Sequence, residues 1–453
     1  MTPADLVARY DGRAPRYTSY PTAPHFSPAV GPDVYAGWLA ALPQQEQVSL
    51  YLHVPFCERL CFYCACNTGV VRRISSHRAY VRRLLAEIER VASAMPHRAR
   101  VRHIHWGGGT PTTLPADALV AIMARLRALF DVADDAEIAI EIDPTSLAAD
   151  RRAALAEIGV TRMSLGVQDL EPAVQEAIGR RQSYEETAAC AAAARELGVQ
   201  SVNLDLIYGL PLQTLESVTR TARRTLDLAA DRVAVFGYAH VPWMKKHQAV
   251  IPEGSLPGAE ERFIQQQGIH RVLTEEGGYV AIGLDHYAKP GDAMARAAAH
   301  GRLRRGFQGY TTDDAPALIG LGASAISQLP QGYAQNAPTA ASYAARIDAG
   351  GLASVRGIAL EREDRLRRAV IEQLMCAARV DLVAMAEAHG ADPSALLAEA
   401  GGLAPFATDG LAHFDGRRVI VTAKGRPFLR SVAALFDAYL GPSDAAPRHA
   451  RAI

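Results

Sequence analysis

Four of the six cysteines fall in one short stretch, Cys57-Glu58-Arg59-Leu60-Cys61-Phe62-Tyr63-Cys64-Ala65-Cys66, spaced C-x3-C-x2-C-x-C. A helix or a strand would scatter these sulfurs over several faces, whereas a loop can wrap three of them around one small object. Thiolates are soft ligands that suit iron–sulfur clusters, zinc and copper(I). The common iron–sulfur patterns use four protein thiolates. Zinc sites show paired C-x2-C knuckles or histidine partners at set offsets. Neither pattern is met, and a zinc or disulfide cluster stays as the alternative. The spacing by itself offers three thiolates and a gap.

This stretch resembles the signature of the radical S-adenosylmethionine (SAM) enzymes. Its C-x-C ending, Cys64 and Cys66, and its lead-in Tyr51-Leu52-His53-Val54-Pro55-Phe56 narrow the resemblance to the oxygen-independent coproporphyrinogen III oxidases. The resemblance runs from Arg16-Tyr17-Thr18-Ser19-Tyr20-Pro21 nearly to the C-terminus and includes Gly306-Phe307-Gln308-Gly309-Tyr310-Thr311-Thr312. It implies that Cys57, Cys61 and Cys64 hold three irons of a 4Fe–4S cluster, with Cys66 beside it and not ligating. The open iron would take the amino and carboxylate groups of SAM, and reductive cleavage would give methionine and a 5′-deoxyadenosyl radical. It further implies two SAM molecules in one cavity. Tyr51, Gly108, Glu141 and Ile326 would serve one; Tyr63, Gly109, Thr110, Gln168, Arg180, Asp205 and Ala239 would serve the second. The implied reaction is oxidative decarboxylation of the ring A and ring B propionates of coproporphyrinogen III to vinyls, giving protoporphyrinogen IX. An electron donor such as flavodoxin or ferredoxin is implied, with an acceptor that the sequence does not name.

Two residues depart from the family pattern. The family commonly has Tyr then Phe after the second cysteine, and this chain has Phe62 then Tyr63. It commonly has Gly between the last two cysteines, and this chain has Ala65, which would be strained if that position needs a positive φ.

The elements that must position these residues follow from periodicity. Short β-rich runs, Val48 to His53, Val101 to Trp106, Glu137 to Ile142, Thr161 to Gly166, Ser201 to Leu206 and Arg232 to Gly237, are predicted strands. Helices are predicted near His77 to Ala92, Ala116 to Phe130, Arg151 to Ile158, Glu185 to Leu197 and Leu215 to Leu226. Such alternation argues for a parallel sheet with right-handed crossovers, and the resemblance sharpens it to a partial (β/α)6 TIM-like barrel, the radical SAM core. Chemistry in barrels of this kind sits at the C-terminal ends of the strands. The cysteine loop follows the first strand. Gly107-Gly108-Gly109 follows the second and would free the backbone to donate N–H groups to a ligand. Glu141 and Asp143 end the third, Gln168 follows the fourth and Asp205 ends the fifth.

The expected organisation is an N-terminal arm over 1–47, the barrel with its extension over 48–350 and a small winged-helix-like α+β domain over 351–453. After the loop at Pro252 to Gly258, Glu260 to Glu276 reads as a helix, Tyr279 to Leu284 as a strand and Asp285 to Thr312 as mostly loops. Gly320 to Ser327 is small enough for close approach to a ligand or for plain tight packing. In the C-terminal part, helices are predicted at Arg362 to Ala378, Leu382 to His389 and Leu429 to Leu440, with a hairpin around Asp415-Gly416. The tail from Gly441 reads as mobile.

The chain has 453 residues, with Lys+Arg and Asp+Glu at 48 each, and a mean hydropathy of −0.01. Zero net charge gives no global pull toward nucleic acid or anionic lipid, so an anionic substrate must be met by local cations. Arg13, Arg16, Arg304, Arg305 and Lys289 are the candidates. His53 and His105 read as packed strand residues, and Cys190 and Cys376 as buried thiols. No signal peptide and no long uncharged apolar run is seen. The expectation is a monomeric, cytoplasmic enzyme. Relatives with the same core include haem chaperones, which typically lack both the fourth cysteine and the arm present here, and an enzyme that opens haem by radical methyl transfer. A nucleic-acid binder acting through the winged-helix-like end would have only the short basic pair Arg417-Arg418.

Overall fold

The computed structural model describes residues 2–44, 46–440 and 451. Twelve strands form one sheet. In chain order they are β1 (Gln47–Val54), β2 (Arg100–Gly108), β3 (Asp131–Ile142), β4 (Arg162–Gln168), β5 (Ser201–Tyr208), β6 (Arg232–Gly237), β7 (Val280–Ile282), β8 (His286–Ala288), β9 (Ala317–Leu321), β10 (Ile326–Leu329), β11 (Gly332–Asn336) and β12 (Ser354–Ala359). The spatial order is β12-β11-β10-β9-β1-β2-β3-β4-β5-β6-β8-β7. β9 and β1 to β6 are mutually parallel. Antiparallel strands extend both ends. The sheet is thus the expected partial barrel, with its edges left apart.

The helices between β1 and β6 cover the outside of the sheet. Ile74–Ala94 buries Tyr80, Leu84, Ile88 and Val91 along one stripe, the spacing of a helix facing a core. Tyr184–Glu196 and Leu215–Leu226 both begin with capping boxes, at Ser183 with Glu186 and Thr214 with Ser217. These side chains satisfy the first free backbone N–H groups. Inner strands such as β1 are buried on both faces, as a helix-covered parallel strand must be.

A second core forms in the C-terminal region, where Leu366, Val370, Leu374, Phe406 and Phe428 pack together. It carries a small sheet of Arg379–Asp381, Ala412–Phe414 and Arg418–Val421, with the expected hairpin at Asp415-Gly416. Arg417 and Arg418 both reach Asp381, at 2.7 and 3.3 Å, so the basic pair is engaged within the protein. The N-terminal helix Pro3–Tyr10 adds Leu6, Val7 and Tyr10 to this core. The arm therefore straps the C-terminal region to the barrel.

Several local expectations need correction. β12 continues the large sheet past residue 350, and the helical region begins only at Arg362. The stretch 285–312 holds a strand, β8, a helix Ala293–Ala299 and a hairpin of Arg304–Gly306 with Gly309–Thr311. Elements this short carry too few residues to show a period. β3 begins at Asp131, well before Glu137, because its charged first half pairs with β2 beyond the apolar run. The last predicted helix keeps only Leu429–Ala433 as α-helix and tightens into a turn at Ala434–Phe436. There Asp437 accepts from the Tyr439 N–H at 2.9 Å, a local bond that competes with helix continuation. The tail 441–453 lies outside the described residues except for Arg451.

Candidate active site

β1 and β2 deliver the cysteine loop to the C-terminal end of the barrel. The Gly109 N–H donates to the Val54 carbonyl at 2.8 Å and the Thr110 N–H to that of Phe56 at 2.7 Å. A Cβ at Gly109 would lie 2.4 Å from the Phe56 oxygen, and one at Gly107 would lie 2.7 Å from Glu141 Oε1. The glycines are thus required by close packing within the protein. The Gly108 N–H is taken by Glu141 Oε2 at 3.1 Å. Of the Gly107-Gly108-Gly109 run, expected to donate backbone N–H groups to a ligand, the Gly108 and Gly109 N–H groups are therefore spent on the protein itself, as is that of Thr110.

Cys57, Cys61, Cys64 and Cys66 all line one cavity of about 540 Å³, in the range of small-molecule sites. Tyr63, Gly108, Gly109, Thr110, Glu141, Gln168, Arg180, Asp205 and Ala239 line it too. Tyr51 does not. It sits one layer back, its hydroxyl 3.0 Å from His53 Nδ1 and its ring stacked on the cavity-lining His105. Ile326 is also outside the lining, packed near Phe26, Tyr333 and Leu360. A Cβ at Gly320 would lie 2.7 Å from the Ile326 oxygen, so the small residues there serve tight packing.

Polar contacts fix each wall. Cys57 Sγ lies 3.1 Å from Thr68 Oγ1 and accepts from Thr110 Oγ1 at 3.7 Å. Burial pushes the Cys57 thiol up. A hydrogen bond from the Cys66 side chain outweighs burial at Cys64 and holds that thiol down at about 7. Arg180 spans three elements, donating to Asp143 Oδ2 at 3.2 Å, the Gly166 carbonyl at 2.7 Å and Cys61 Sγ at 3.6 Å. Burial pushes the Asp143 carboxyl up, but Arg180 and Arg59 outweigh it and keep it below its usual range. Burial acts the same way on Glu141, and there the His105 ring at 3.2 Å and the Gly108 N–H prevail and keep it ionised. Asp205 is pushed up by burial, with Ser164 and Asn203 donating to its oxygens at 2.9 and 2.8 Å. Gln168 has φ +69°, next to an irregularity in the β4–β5 pairing at Gly166. Such a bulge re-aims a side chain, here into the cavity.

The two departures in the cysteine loop are both accommodated. Phe62 lies against Gly179, where a Cβ would come within 3.0 Å of its ring, so Tyr63 alone of the pair faces the cavity. Ala65 is not among the residues with positive φ and carries no strain of that kind.

Sequence reading missed the brace over this loop. The fully buried Gln248 donates to the Tyr63 carbonyl at 2.8 Å and the Ala239 carbonyl at 3.2 Å. His247 Nε2 lies 2.7 Å from the Cys64 oxygen and Lys245 Nζ donates to that of Cys66 at 2.9 Å. No motif marks these residues. Ser164, Asn203 and His286 also line the cavity, and only their places near strand ends could have flagged them. Of the cations expected to meet substrate, Arg16 lines the cavity and Arg13 an adjoining chamber. Arg305 instead donates to the Arg16 carbonyl at 2.9 Å, Lys289 to that of Ala229 at 2.7 Å, and Arg304 is exposed. The arm's tyrosines turn away from the cavity. Tyr17 donates to Asp437 at 3.1 Å and the Tyr20 hydroxyl accepts from the Ala438 N–H at 3.0 Å.

The donor set fits an iron–sulfur cluster better than one metal ion. Among the described residues no three His, Cys, Asp or Glu side chains converge as a single ion would require. A cube takes each thiolate at a separate iron, and three cysteines around one open cavity meet that need.

Comparison with known proteins agrees with this geometry. A family model described as the radical SAM superfamily matches residues 51–225, and one described as the HemN C-terminal domain matches residues 360–428. The oxygen-independent coproporphyrinogen III oxidase of Bradyrhizobium diazoefficiens is 50% identical over 451 residues, covering 99% of this chain and 100% of that one. The Escherichia coli K12 protein of the same name is 41% identical over 438 residues, covering 96% and 95%. The solved structure of coproporphyrinogen III oxidase (HemN) from Escherichia coli, described as a radical SAM enzyme, superposes with a TM-score of 0.89. It is 40% identical, with 94% of this chain and 98% of that one covered. No helix among the described residues is long and apolar enough to cross a membrane.

Proposed function

This chain belongs to the oxygen-independent coproporphyrinogen III oxidases of the radical SAM superfamily, and we infer from that membership that it converts coproporphyrinogen III to protoporphyrinogen IX without oxygen. It is an oxidoreductase of haem biosynthesis that uses a 4Fe–4S cluster and SAM. The observation that carries this reading is the convergence of Cys57, Cys61 and Cys64 with Glu141, Gln168, Arg180 and Asp205 on one cavity at the C-terminal end of the barrel.

Cys57, Cys61 and Cys64 would hold the cluster, and when bound the cluster with SAM supplies a 5′-deoxyadenosyl radical for removing hydrogen from a propionate β-carbon. The chain's own residues bind and orient. Ionised Glu141 offers charge to an ammonium or sulfonium. Asp205, clamped by Ser164 and Asn203, and Gln168 offer acceptors and donors to ribose hydroxyls. Arg180 holds Asp143 and the Cys61 sulfur in register, and Tyr63 offers a face to adenine. Of the two SAM molecules, one would be served by Gly108 and Glu141 and the second by Tyr63, Gly109, Thr110, Gln168, Arg180, Asp205 and Ala239, all of which line this cavity. Tyr51 would then act on the first through His105, and Ile326 through the packing behind β1. We place the enzyme in the cytoplasm as a monomer, where a reducing environment protects the thiolates, with a flavodoxin- or ferredoxin-like donor supplying electrons.

Anaerobic reconstitution with iron and sulfide, followed by reductant, SAM and coproporphyrinogen III, tests this. Formation of 5′-deoxyadenosine with stepwise loss of two carbon dioxide molecules is expected. Tight haem binding without decarboxylation would overturn it.

A further inference from the structure

A second chamber, of about 370 Å³, adjoins the cysteine cavity. Arg16, Gly237, Tyr238 and Ala239 belong to the walls of both. Its other walls come from the arm, the helix Ala259–Arg271 and the C-terminal domain. Five arginines, Arg13, Arg16, Arg262, Arg430 and Arg451, line it, against two carboxylates, Asp285 and Glu253. Asp285 is already engaged by His286 Nδ1 at 2.7 Å.

Two of these guanidiniums are aimed by backbone carbonyls and make no direct ion pair among the described residues, although the Asp285 carboxylate feels the charge of Arg16. Arg16 Nη2 donates to the Gly237 carbonyl and Arg262 Nη2 to the Tyr238 carbonyl, each at 2.8 Å. Carbonyls orient a guanidinium but leave its charge in place. The Arg262 Nε–H is buried with no partner among the described residues, as are those of Arg59, Arg125 and Arg180. Two glycines make room for the group. A Cβ at Gly209 would lie 3.0 Å from Arg262 Nε, and one at Gly237 would lie 3.3 Å from Nη2. Burial disfavours the charged form of Arg262, as expected of a cation waiting for its anion. A planar guanidinium fork matches a carboxylate.

Taking the proposed function as given, we propose that Arg262, with Arg16 at the shared wall, grips a propionate of the tetrapyrrole other than the one being decarboxylated. Coproporphyrinogen III carries four propionates. The reacting one must enter the cysteine cavity, and a carboxylate drawn out of water beside it needs a countercharge. The chamber supplies that countercharge where a macrocycle spanning both spaces would place it, so it holds the ring in register and selects porphyrinogens that keep further carboxylates.

The test uses the full-length reconstituted enzyme with Arg262→Gln, Arg262→Lys and Arg16→Gln. Arg262→Gln should raise KM for coproporphyrinogen III about ten- to a hundredfold, the scale of a lost charge-assisted hydrogen bond. It should also raise the ratio of 5′-deoxyadenosine to carbon dioxide. Arg262→Lys and Arg16→Gln should show smaller rises, and iron content and SAM stoichiometry should match the wild type in all three. Wild-type KM in both Gln variants overturns the proposal. So does the loss of one SAM equivalent, which would assign the chamber to the nucleotide's carboxylate. Direct binding separates this idea from the function it rests on. Without turnover, wild type should still prefer coproporphyrinogen III to an octaalkyl porphyrinogen lacking carboxylates, and Arg262→Gln should lose that preference. Equal preference in both proteins overturns the chamber's role even if wild type decarboxylates normally.

Discussion

The Gln248 side-chain amide donates to the carbonyl oxygen of Tyr63 at 2.8 Å, while its own oxygen accepts from the Val241 N–H at 2.6 Å. One buried side chain thus ties the middle of the cysteine loop to the segment following β6. A loop that must present three sulfurs at fixed separations gains from such a tie, because its own backbone offers few regular bonds. Gln248→Leu keeps the volume and removes every one of these bonds, leaving buried groups unpaired at about 1–3 kcal/mol each. The expected outcome is a folded protein whose reconstituted iron content falls by about half or more. Full wild-type iron in this variant would show that the loop holds its shape without the brace.

Cys64 and Cys66 are neighbours in space with different tasks. The hydrogen bond between them holds the Cys64 thiol down near 7 and drives the Cys66 thiol well up. Cys64 is the third sulfur of the C-x3-C-x2-C run and is the member of the pair expected to hold iron, with Cys66 beside the cluster. Cys64→Ala should abolish the cluster's visible absorbance, and Cys66→Ala should keep most of the iron. Equal losses in the two variants, measured as iron per chain after anaerobic reconstitution, would reverse the assignment.

Arg180 joins the ends of two strands to the cysteine loop through Asp143, the Gly166 carbonyl and Cys61 Sγ. Removing one partner of a buried ion pair is costly, about 3–5 kcal/mol. Arg59, the other cation on Asp143, is at 3.4 Å. Arg180→Gln should therefore lower the denaturation midpoint and raise KM for SAM about tenfold or more, on the scale of a lost charged hydrogen bond. Arg180→Lys should recover only part of either, since a single ammonium cannot reach three acceptors. Unchanged stability with raised KM would mean that Asp143 is satisfied without it.

What could be read from the chain divides by the range of the interactions involved. The parallel strands and their helices were legible because each carries its own period, and Arg232–Gly237 and Leu215–Leu226 match expectation end to end. The cysteine loop and the strand-end groups Glu141, Gln168 and Asp205 were legible because a motif and a barrel rule place them. Gln248, His247 and Arg262 were not, since each acts on residues far away in sequence and has no local pattern. Ile326 was assigned to the site by resemblance alone, and its side chain packs outside the cavity. The role of the three glycines was half legible. Their need for close approach was clear, but the objects approached are the protein's own Glu141, His53 and Phe56.

A buried carboxyl away from the site makes the last prediction. Glu87, on the inner face of the helix Ile74–Ala94, accepts from the Gly322 N–H at 2.6 Å, Asn336 Nδ2 at 2.6 Å and the Tyr343 hydroxyl at 2.7 Å. These bonds tie that helix to the turn after β9, whose Gly322 approaches the His53 carbonyl so closely that a Cβ would lie 2.5 Å from it. Burial pushes the Glu87 carboxyl up to about 7 from 4.5, outweighing the three donors. A carboxyl raised in the folded state binds its proton more tightly there than in the unfolded chain. The stability it confers is complete below about 4.5 and is lost as pH rises through about 7. Between pH 5.5 and 8 this loss is about 2 kcal/mol. Wild-type stability from denaturant titration should thus fall over that interval by more than that of Glu87→Gln, whose amide cannot ionise, although the variant starts lower because its NH2 group cannot accept from Asn336. Parallel pH profiles for the two proteins would show that Glu87 is not the group whose ionisation loosens this helix.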